Sequence, residues 1–229
     1  MRLFTALLLF LGCVLLQPVF AQQTYPVRFS RGTEFFPDNY QAIRQNPNIQ
    51  AAEIVNGYYI RYIQCTEIPA ARQREQLEKE GVQFISYVTF GAYLVALPQD
   101  FDLNKLEPLK VRSVVPVNPQ WKLAQNLREE PYGDWAVHGD LVDIVLQVYP
   151  QLRISEGADL CRQHGMTVIF EGNQNGYLKV RLLKDHPDFR AQLNRIDIPV
   201  VYILSIQPDI AFHPADVDRV VHPVEAAQK

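Results

Sequence analysis

Cysteine is scarce in this chain of 229 residues, which contains three copies of it and two each of methionine and tryptophan. Cys13 lies in an apolar N-terminal stretch, so Cys65 and Cys161 are the cysteines of the remaining chain. They occupy unlike positions, one at the end of a predicted strand and the other inside a predicted helix. This excludes an equivalent disulfide in each half of the chain. We expect two buried free thiols, with a Cys65–Cys161 bridge as the less favoured alternative.

The sequence also lacks a block or stripe of lysine and arginine, and its formal net charge is −3. Proteins that bind nucleic acid or an anionic membrane concentrate positive charge on one surface. Both classes of partner are therefore excluded on composition.

Motifs that carry catalysis or hold cofactors are absent from the sequence. It has no Gly-x-Ser-x-Gly elbow, no His-Glu-x-x-His pair and no glycine-rich phosphate loop. Cys161 lies three residues before His164 on one predicted helix, but it belongs to the apolar stripe, which disfavours a nucleophile–base pair. We therefore predict that the protein is not an enzyme and needs no cofactor. Metal-ligand spacing is missing from the five histidines, which are His138, His164, His186, His213 and His222.

The first 21 residues have the pattern of a secretory signal peptide. Arg2 supplies the positive start and Leu3 to Leu16 supply the apolar stretch. Val19-Phe20-Ala21 then places small residues at positions −3 and −1 of a cleavage site. The apolar run ends before Gln17, short of the roughly 20 residues that a membrane span needs. Cleavage after Ala21 predicts a secreted or periplasmic protein with no membrane partner after processing.

An internal duplication organises the rest of the sequence. Gly81 and Gly165 each close a predicted helix and lie 84 residues apart, and Tyr93-Leu94 recurs at the same offset as Tyr177-Leu178. A period of this length suits two small domains in tandem rather than a solenoid. The predicted organisation is a leader at 22–56, a first unit at 57–123, a linker at 124–140, a second unit at 141–212 and an extended tail at 213–229.

Hydrophobic periodicity predicts the order β-α-β-β-α-β in both units. This order predicts an α+β protein of two tandem ferredoxin-like units, each a four-stranded antiparallel sheet with two helices on one face. Asp100 and Ser155 are predicted helix caps, and the leader adds a short strand at 25–29 and a short helix after Pro37. The predicted strands span 57–66, 82–88, 92–97 and 111–117 in the first unit, and 142–148, 166–170, 177–183 and 200–206 in the second.

The two predicted sheets differ on the face that points away from their helices. In the first unit both faces are apolar, so the second face must be covered by the leader, the second unit or a partner protein. In the second unit that face is polar enough to remain exposed and to contact a partner. Its candidate contact residues are Asp143, Val145, Gln147, Lys179 and Arg181.

A set of soft motifs runs through most of residues 25–212: Gly57 to Gln64, Ile68-Pro69, Gly81-Val82, Tyr93 to Val95 and Val111 to Leu123. Together they resemble the N-terminal propeptide region of long secreted bacterial subtilisin-like serine proteases, and the second unit resembles a further propeptide-like repeat. Such propeptides are ferredoxin-like domains that assist the folding of the protease and inhibit it. They pack an open sheet face on the enzyme and lay a C-terminal tail through its active-site cleft.

This sequence departs from that family because it contains no Asp, His or Ser motif of the protease; His138-Gly139-Asp140 is better read as a turn. The resemblance implies a secreted protein-binding module that acts on a subtilisin-like protease as an inhibitor or folding assistant in trans. The alternatives are a structural module whose units pair with each other or across a homodimer, a small-ligand sensor with a site between the units, and the remnant of a truncated protease gene. The candidate segment for the protease cleft is the extended stretch of the tail, Val217, Asp218, Arg219, Val220 and Val221.

Overall fold

The computed structural model describes residues 24–29, 32–122, 134, 136–172, 176–183 and 200–205. The predicted signal peptide, most of the linker, the second helix of the second unit and the tail lie outside the described residues. Within the described ranges the chain forms helices, short 3₁₀-helices and antiparallel strands.

The chain begins with β1 (Pro26–Phe29) and β2 (Gly32–Phe35), which pair as a hairpin, then α1 (Tyr40–Gln45) and a 3₁₀-helix (Ala51–Glu53). The first unit contains β3 (Tyr58–Cys65), α2 (Ala71–Lys79), β4 (Gln83–Tyr87), β5 (Ala92–Pro98), a 3₁₀-helix (Leu103–Leu109) and β6 (Val111–Pro116). After a 3₁₀-helix (Pro119–Lys122) come β7 (Val137–His138), β8 (Leu141–Val148), α3 (Ile154–Gln163), β9 (Thr167–Gly172), β10 (Tyr177–Leu183) and β11 (Val200–Ser205).

The two larger sheets have the same strand order. The first sheet runs β4-β5-β3-β6 and the second runs β9-β10-β8-β11, so in each the first strand of the unit lies between the third and the fourth. All neighbouring strands are antiparallel, and β7 adds a short pairing to β8. The predicted α+β class is therefore confirmed.

Glycines end the two longer helices, as the sequence predicted. Gly81 follows α2 with φ of 92° and Gly165 follows α3 with φ of 77°, a backbone conformation that glycine adopts without strain. The predicted helix starts were wrong in detail. Asp102, rather than Asp100, caps the 3₁₀-helix by accepting a 3.0 Å hydrogen bond from the backbone N–H of Asn104.

Ser155 does not cap α3, because it lies inside the first turn and Arg153 occupies the capping position. The carboxylate of Glu156 accepts a hydrogen bond of 2.8 Å from the backbone N–H of Arg153 and meets the side chain of the same residue. A carboxylate at this end also suits the partial positive charge of a helix N-terminus. The apolar stripe of α3 was predicted correctly, since Ala158 and Cys161 are buried.

A β-bulge interrupts the second strand of each sheet. In β4, Phe84 pairs with Val95 and Ser86 with Leu94, so Ile85 is the extra residue. In β9, Val168 pairs with Val180 and Phe170 with Lys179, so Ile169 is the extra residue. Such bulges bend a strand and change the direction of side chains.

The helices and the first sheet enclose an apolar core. Leu77 of α2 and Leu103, Leu106 and Leu109 of the following 3₁₀-helix pack against alternate strand residues, among them Tyr93. Cys65 is buried in the same cluster. The second sheet has its own core, in which Ala158 and Cys161 of α3 meet the inward residues of β8 and β10, namely Val142, Ile144, Leu146, Val148, Leu178, Val180 and Leu182.

The other face of the first sheet, called the covered face from here on, carries Ile60, Tyr62, Gln64, Ala92, Leu94 and Ala96. Val27 and Phe36 from the leader are buried against it, with Phe29 and Trp121 packed beside them. The rings of Phe29 and Trp121 stack at 4.8 Å between centroids. Tyr149 of the second unit is buried in the same cluster. The prediction that this face is covered is confirmed, and of the three predicted covers the leader and the second unit both contribute.

The loop after β8 joins the second unit to the first. Besides the buried Tyr149, it places Gln151 Nε2 at 2.7 Å from Gln83 Oε1. The side-chain amide of Asn56 donates a 2.8 Å hydrogen bond to the backbone carbonyl of Gln151. The ammonium of Lys122 lies 5.4 Å from the centroid of the Tyr149 ring. Of these contacts, the one to Gln83 is made by the first residue of β4.

The sequence match between Tyr93-Leu94 and Tyr177-Leu178 is wrong as a structural equivalence. Tyr93 points into the core beneath the helices and Leu94 to the covered face. In β10 it is Leu178 that enters the core. Because strand side chains alternate between the two faces of a sheet, an alignment that is wrong by one residue assigns every side chain to the opposite face. Counted from the bulges, Leu94 corresponds to Lys179.

Candidate functional site

The five candidate contact residues of the second unit lie together on one face. Arg181 is the register partner of Asp143, and Lys179 is the partner of Val145. Gln147 pairs with Tyr177. Directly opposite residues of an antiparallel pair share a face, and this face is the one that points away from α3. We call it the open face and define it by Asp143, Val145, Gln147, Tyr177, Lys179 and Arg181.

Asp143 is the centre of an ion network on the open face. Its side chain is 1% exposed, and it accepts hydrogen bonds from Arg181 Nε at 2.6 Å and from the second Arg181 nitrogen at 2.9 Å. Lys179 Nζ lies 3.6 Å and His138 Nε2 3.1 Å from the Oδ2 atom. The two hydrogen bonds between Arg181 and Asp143 form a bidentate pair, which fixes the plane of the guanidinium group.

These partners determine the protonation of the carboxylate. Burial alone would raise the pKa of Asp143, but the hydrogen bonds and charge of Arg181, with smaller effects from Lys179 and His138, hold this pKa below its ordinary value. The same pair raises the pKa of Arg181 above its ordinary value. Asp143 is therefore an anion at neutral pH, and its role in the folded chain is to hold two cations in place.

The expectation that this face stays exposed is wrong for two of the five candidate contact residues, and Tyr177 beside them is buried too. Asp143 is covered by its cationic partners and Val145 is also buried, because long basic side chains cover the strand surface beside them. Gln147, Lys179 and Arg181 are half-buried. A contact with another protein would meet these three first.

Sequence reasoning missed the apolar residues beside this face. Phe170 is 60% exposed and Ile169 is 38% exposed, and Phe170 shares the open face with its partner Lys179. Leu183, two positions beyond Arg181 on β10, is also exposed. The pattern Thr-Val-Ile-Phe of β9 contains apolar residues in a row, and only the bulge determines which of them leave the core.

The other candidate chemistry does not assemble into a site among the described residues. Cys65 and Cys161 are free and each is buried in a different core, and burial raises their pKa values to about 12 and about 11. Thiols of this kind are inert as nucleophiles. Within the described part of the chain, no group of three or more His, Cys, Asp or Glu side chains could hold a metal ion. His186, His213 and His222 lie outside the described residues.

A cleft of about 440 Å³ lies between α2 and the 3₁₀-helix that follows β5. Several of its polar groups already have partners: Lys105 Nζ lies 2.7 Å from Glu80, and Gln73 Nε2 donates to the carbonyl of Pro108 at 2.7 Å. The cleft therefore offers a ligand few polar contacts that are not already made within the chain.

The candidate cleft segment of the tail, Val217, Asp218, Arg219, Val220 and Val221, lies outside the described residues. No helix in the described ranges is long and apolar enough to cross a membrane.

Residues 27–118 match the model of a domain of unknown function (DUF8729). No curated protein and no solved structure matches the chain. The matched region begins in β1 and ends just after β6, so it includes the leader hairpin together with the first sheet. This agrees with the packing, in which Val27 and Phe36 of the leader are buried against the covered face of the first sheet.

Proposed function

We propose that this chain is an exported, non-enzymatic module that binds protein through the open face of its second sheet. The subtilisin-like serine protease suggested by the propeptide resemblance is the proposed partner, and inhibition or assisted folding in trans is the proposed effect. Both effects require a stable contact surface and no catalytic residue in the chain itself.

One observation carries this proposal. The two sheets have the same strand order, but the leader and Tyr149 close the covered face of the first sheet, whereas the second sheet exposes Phe170 and half-exposes Lys179 and Arg181 on the corresponding face. Exposed apolar residues bordered by polar ones are typical of protein-interaction sites. The proposal includes two ferredoxin-like units. It is supported by the shared strand order, by α2 and a 3₁₀-helix against one face of the first sheet, and by α3 against one face of the second.

Inhibition can be measured directly. Residues 22–229 would be titrated against several subtilisin-like proteases, and a form that ends at His213 would be tested in parallel. Gels would show whether the added protein stays intact, because a protein that the protease degrades lowers the measured activity as a competing substrate and not as an inhibitor. Inhibition by both forms supports docking through the body of the protein, and inhibition lost on truncation assigns the cleft contact to the tail. Absence of inhibition by both forms, together with no acceleration of the refolding of a denatured protease, would remove the proposed function.

A second candidate function is a structural module whose units pair with each other. The contacts of Tyr149, Gln151 and Asn56 between the units favour it. This candidate predicts that the chain sediments as a monomer at all concentrations and leaves every protease in the panel active.

A further inference from the structure

The bulge of β9 places two adjacent apolar side chains where a regular strand would expose only one. Val168 packs against the core of the second unit, and Phe170 lies opposite Lys179 on the open face. The extra residue Ile169 is exposed as well. In the first sheet the corresponding extra residue, Ile85, packs into the cluster on the covered face. Ile169 and Phe170 therefore form an apolar pair on the uncovered side of the second sheet.

Positive charge borders this apolar pair. Lys179 is the direct neighbour of Phe170, and Arg181 follows two positions along β10. Among the residues that the structure describes, Asp143 is the carboxylate that pairs with them, and it is buried. Within this part of the chain, two half-exposed cations are therefore matched by one buried anion. Arg181 donates to Asp143 through two of its nitrogens, and Lys179 Nζ lies 3.6 Å from the same carboxylate. Guanidinium has five N–H donors and ammonium has three, so both cations have N–H groups left for a further acceptor.

The first sheet shows which kind of segment fills such a face in this fold. The covered face binds the leader hairpin and the residue after it: Phe29 of β1 and Phe36, just after β2, pack on this face together with Trp121. Glu34 of the same hairpin accepts a hydrogen bond from Trp121 Nε1 at 3.3 Å. An apolar and cationic surface prefers a segment that combines aromatic rings with carboxylates, because unlike charges attract across an interface and like charges oppose binding.

We infer that the open face binds an acidic, aromatic segment of a partner protein, with Ile169 and Phe170 as the apolar anchors and Lys179 and Arg181 as the carboxylate contacts. This inference rests on the proposed protein-binding function, but it does not depend on the partner being a protease. Buried aromatic residues and arginines carry most of the affinity in protein interfaces, so the effect should be concentrated in a few positions.

Two fluorescent pentapeptides of equal aromatic content test the inference on the full chain. One alternates glutamate with phenylalanine and tryptophan, and the other has lysine in place of each glutamate. At low ionic strength the acidic peptide should bind about tenfold more tightly than the basic peptide, since two attractive contacts replace two repulsive ones. Added salt should reduce that difference.

Two pairs of variants assign the binding to the open face. Phe170→Ser should weaken the acidic peptide by at least about tenfold, whereas Phe35→Ser, at an equally exposed phenylalanine on β2, should leave it unchanged. Lys179→Gln should lower affinity, whereas Lys110→Gln, an exposed lysine of the first unit, should not. Circular dichroism would confirm that each variant is folded.

The inference is overturned if neither peptide binds, if both bind equally, or if Phe35→Ser weakens binding as much as Phe170→Ser. Concentration-dependent dimers that are lost in Phe170→Ser would instead make a second copy of the chain the occupant. If the acidic peptide binds as expected but the chain acts on no protease, the proposed protease partner is wrong and the inference about the open face is supported. Protease inhibition that is unchanged in Phe170→Ser and Lys179→Gln would support the proposed protease partner and overturn the inference that the open face binds it.

Discussion

The covered face of the first sheet and the open face of the second are built on the same frame and differ in polarity at a few positions. Leu94 and Lys179 both lie opposite a bulge, and the cross-strand pairs can be compared outward from them. Tyr62/Leu94 corresponds to Val145/Lys179, Ile60/Ala96 to Asp143/Arg181, and Gln64/Ala92 to Gln147/Tyr177.

Side-chain size and charge at these pairs explain the different outcomes. Ala92 and Ala96 leave room above the first sheet for the aromatic rings of the leader, and burying those rings contributes a large part of the local stability. On the second sheet the counterparts of Ala92 and Ala96 are Tyr177 and Arg181, which fill the equivalent space. Arg181 and the neighbouring Lys179 keep their charged heads at the surface. Two sheets of one topology can thus become either an internal layer or an outward surface.

The largest expected effect comes from opening the covered face. Phe36→Ala removes a ring that is 5% exposed, and the lost burial together with the cavity should reduce the free energy of unfolding by about 3–4 kcal/mol. Its neighbour provides the matched control: Phe35 is 66% exposed, so Phe35→Ala should change that free energy by no more than about 0.5 kcal/mol. Urea denaturation followed by circular dichroism measures both, and equal losses would mean that the leader does not hold the first sheet.

A smaller effect is expected from the ion network of the open face. Asp143→Asn should lower the free energy of unfolding at neutral pH by about 2 kcal/mol, because two cations lose their buried partner. The pKa of Asp143 is lowered in the folded chain, so its contribution is present above the unfolded pKa of about 4 and is lost as the pH falls through the folded pKa.

The deficit of Asp143→Asn should therefore shrink on acidification below about pH 4. Asp140→Asn, at an exposed carboxylate in the same hairpin, serves as the control and should behave like the parent protein throughout. A deficit of constant size down to low pH would show that the charge of Asp143 contributes nothing.

The contact between the two units should contribute less to the free energy of unfolding than the ion network does. Gln151→Ala removes the hydrogen bond to Gln83, which should cost about 1 kcal/mol in a partly buried setting. The more informative readout is cooperativity: a single urea transition in the parent protein and a broadened one in the variant would indicate that this contact couples the two units. Gln163→Ala, at an exposed position at the end of α3, should alter neither quantity.

The smallest effect on stability is expected at the apolar pair of the open face. Phe170→Ser should change the free energy of unfolding by no more than about 0.5 kcal/mol, since a ring that is already exposed gains little from folding. Thermal denaturation beside Phe36→Ala makes the comparison between the two faces direct. A loss near that of Phe36→Ala would show that Phe170 packs within the chain and is not available to a partner.

Local signals were enough to predict most elements of the fold. The strands of both units were placed within about two residues, and Gly81 and Gly165 ended their helices as expected because their positive φ angles favour glycine. The strand β2 was missed because Gly-Thr-Glu-Phe has no apolar alternation; it pairs with β1 and leaves Phe35 exposed. β7 is a two-residue strand within the predicted linker, too short for a periodic signal.

The candidate site was predicted only in part, because faces depend on register. Alternation along β8 and β10 was enough to place Asp143, Lys179 and Arg181 on one face, but it could not show that they bind one another. No local sequence pattern indicates the two bulges. Because of them, Leu94 corresponds to Lys179 rather than to Leu178, and Ile169 lies outside the core. Cross-strand partners are long-range information that a single sequence does not contain.

The bulge of β9 also affects how readily the edge of the second sheet can pair with another chain. β9 is the edge strand of the second sheet as described, and its run of threonine, valine, isoleucine and phenylalanine has the composition that favours cross-β stacking. A regular edge of this kind would offer a straight row of amide and carbonyl groups to another chain. The extra residue at Ile169 breaks that row and twists it away from straight pairing. The same irregularity that exposes two apolar side chains therefore disfavours regular edge-to-edge pairing of the backbone beside them.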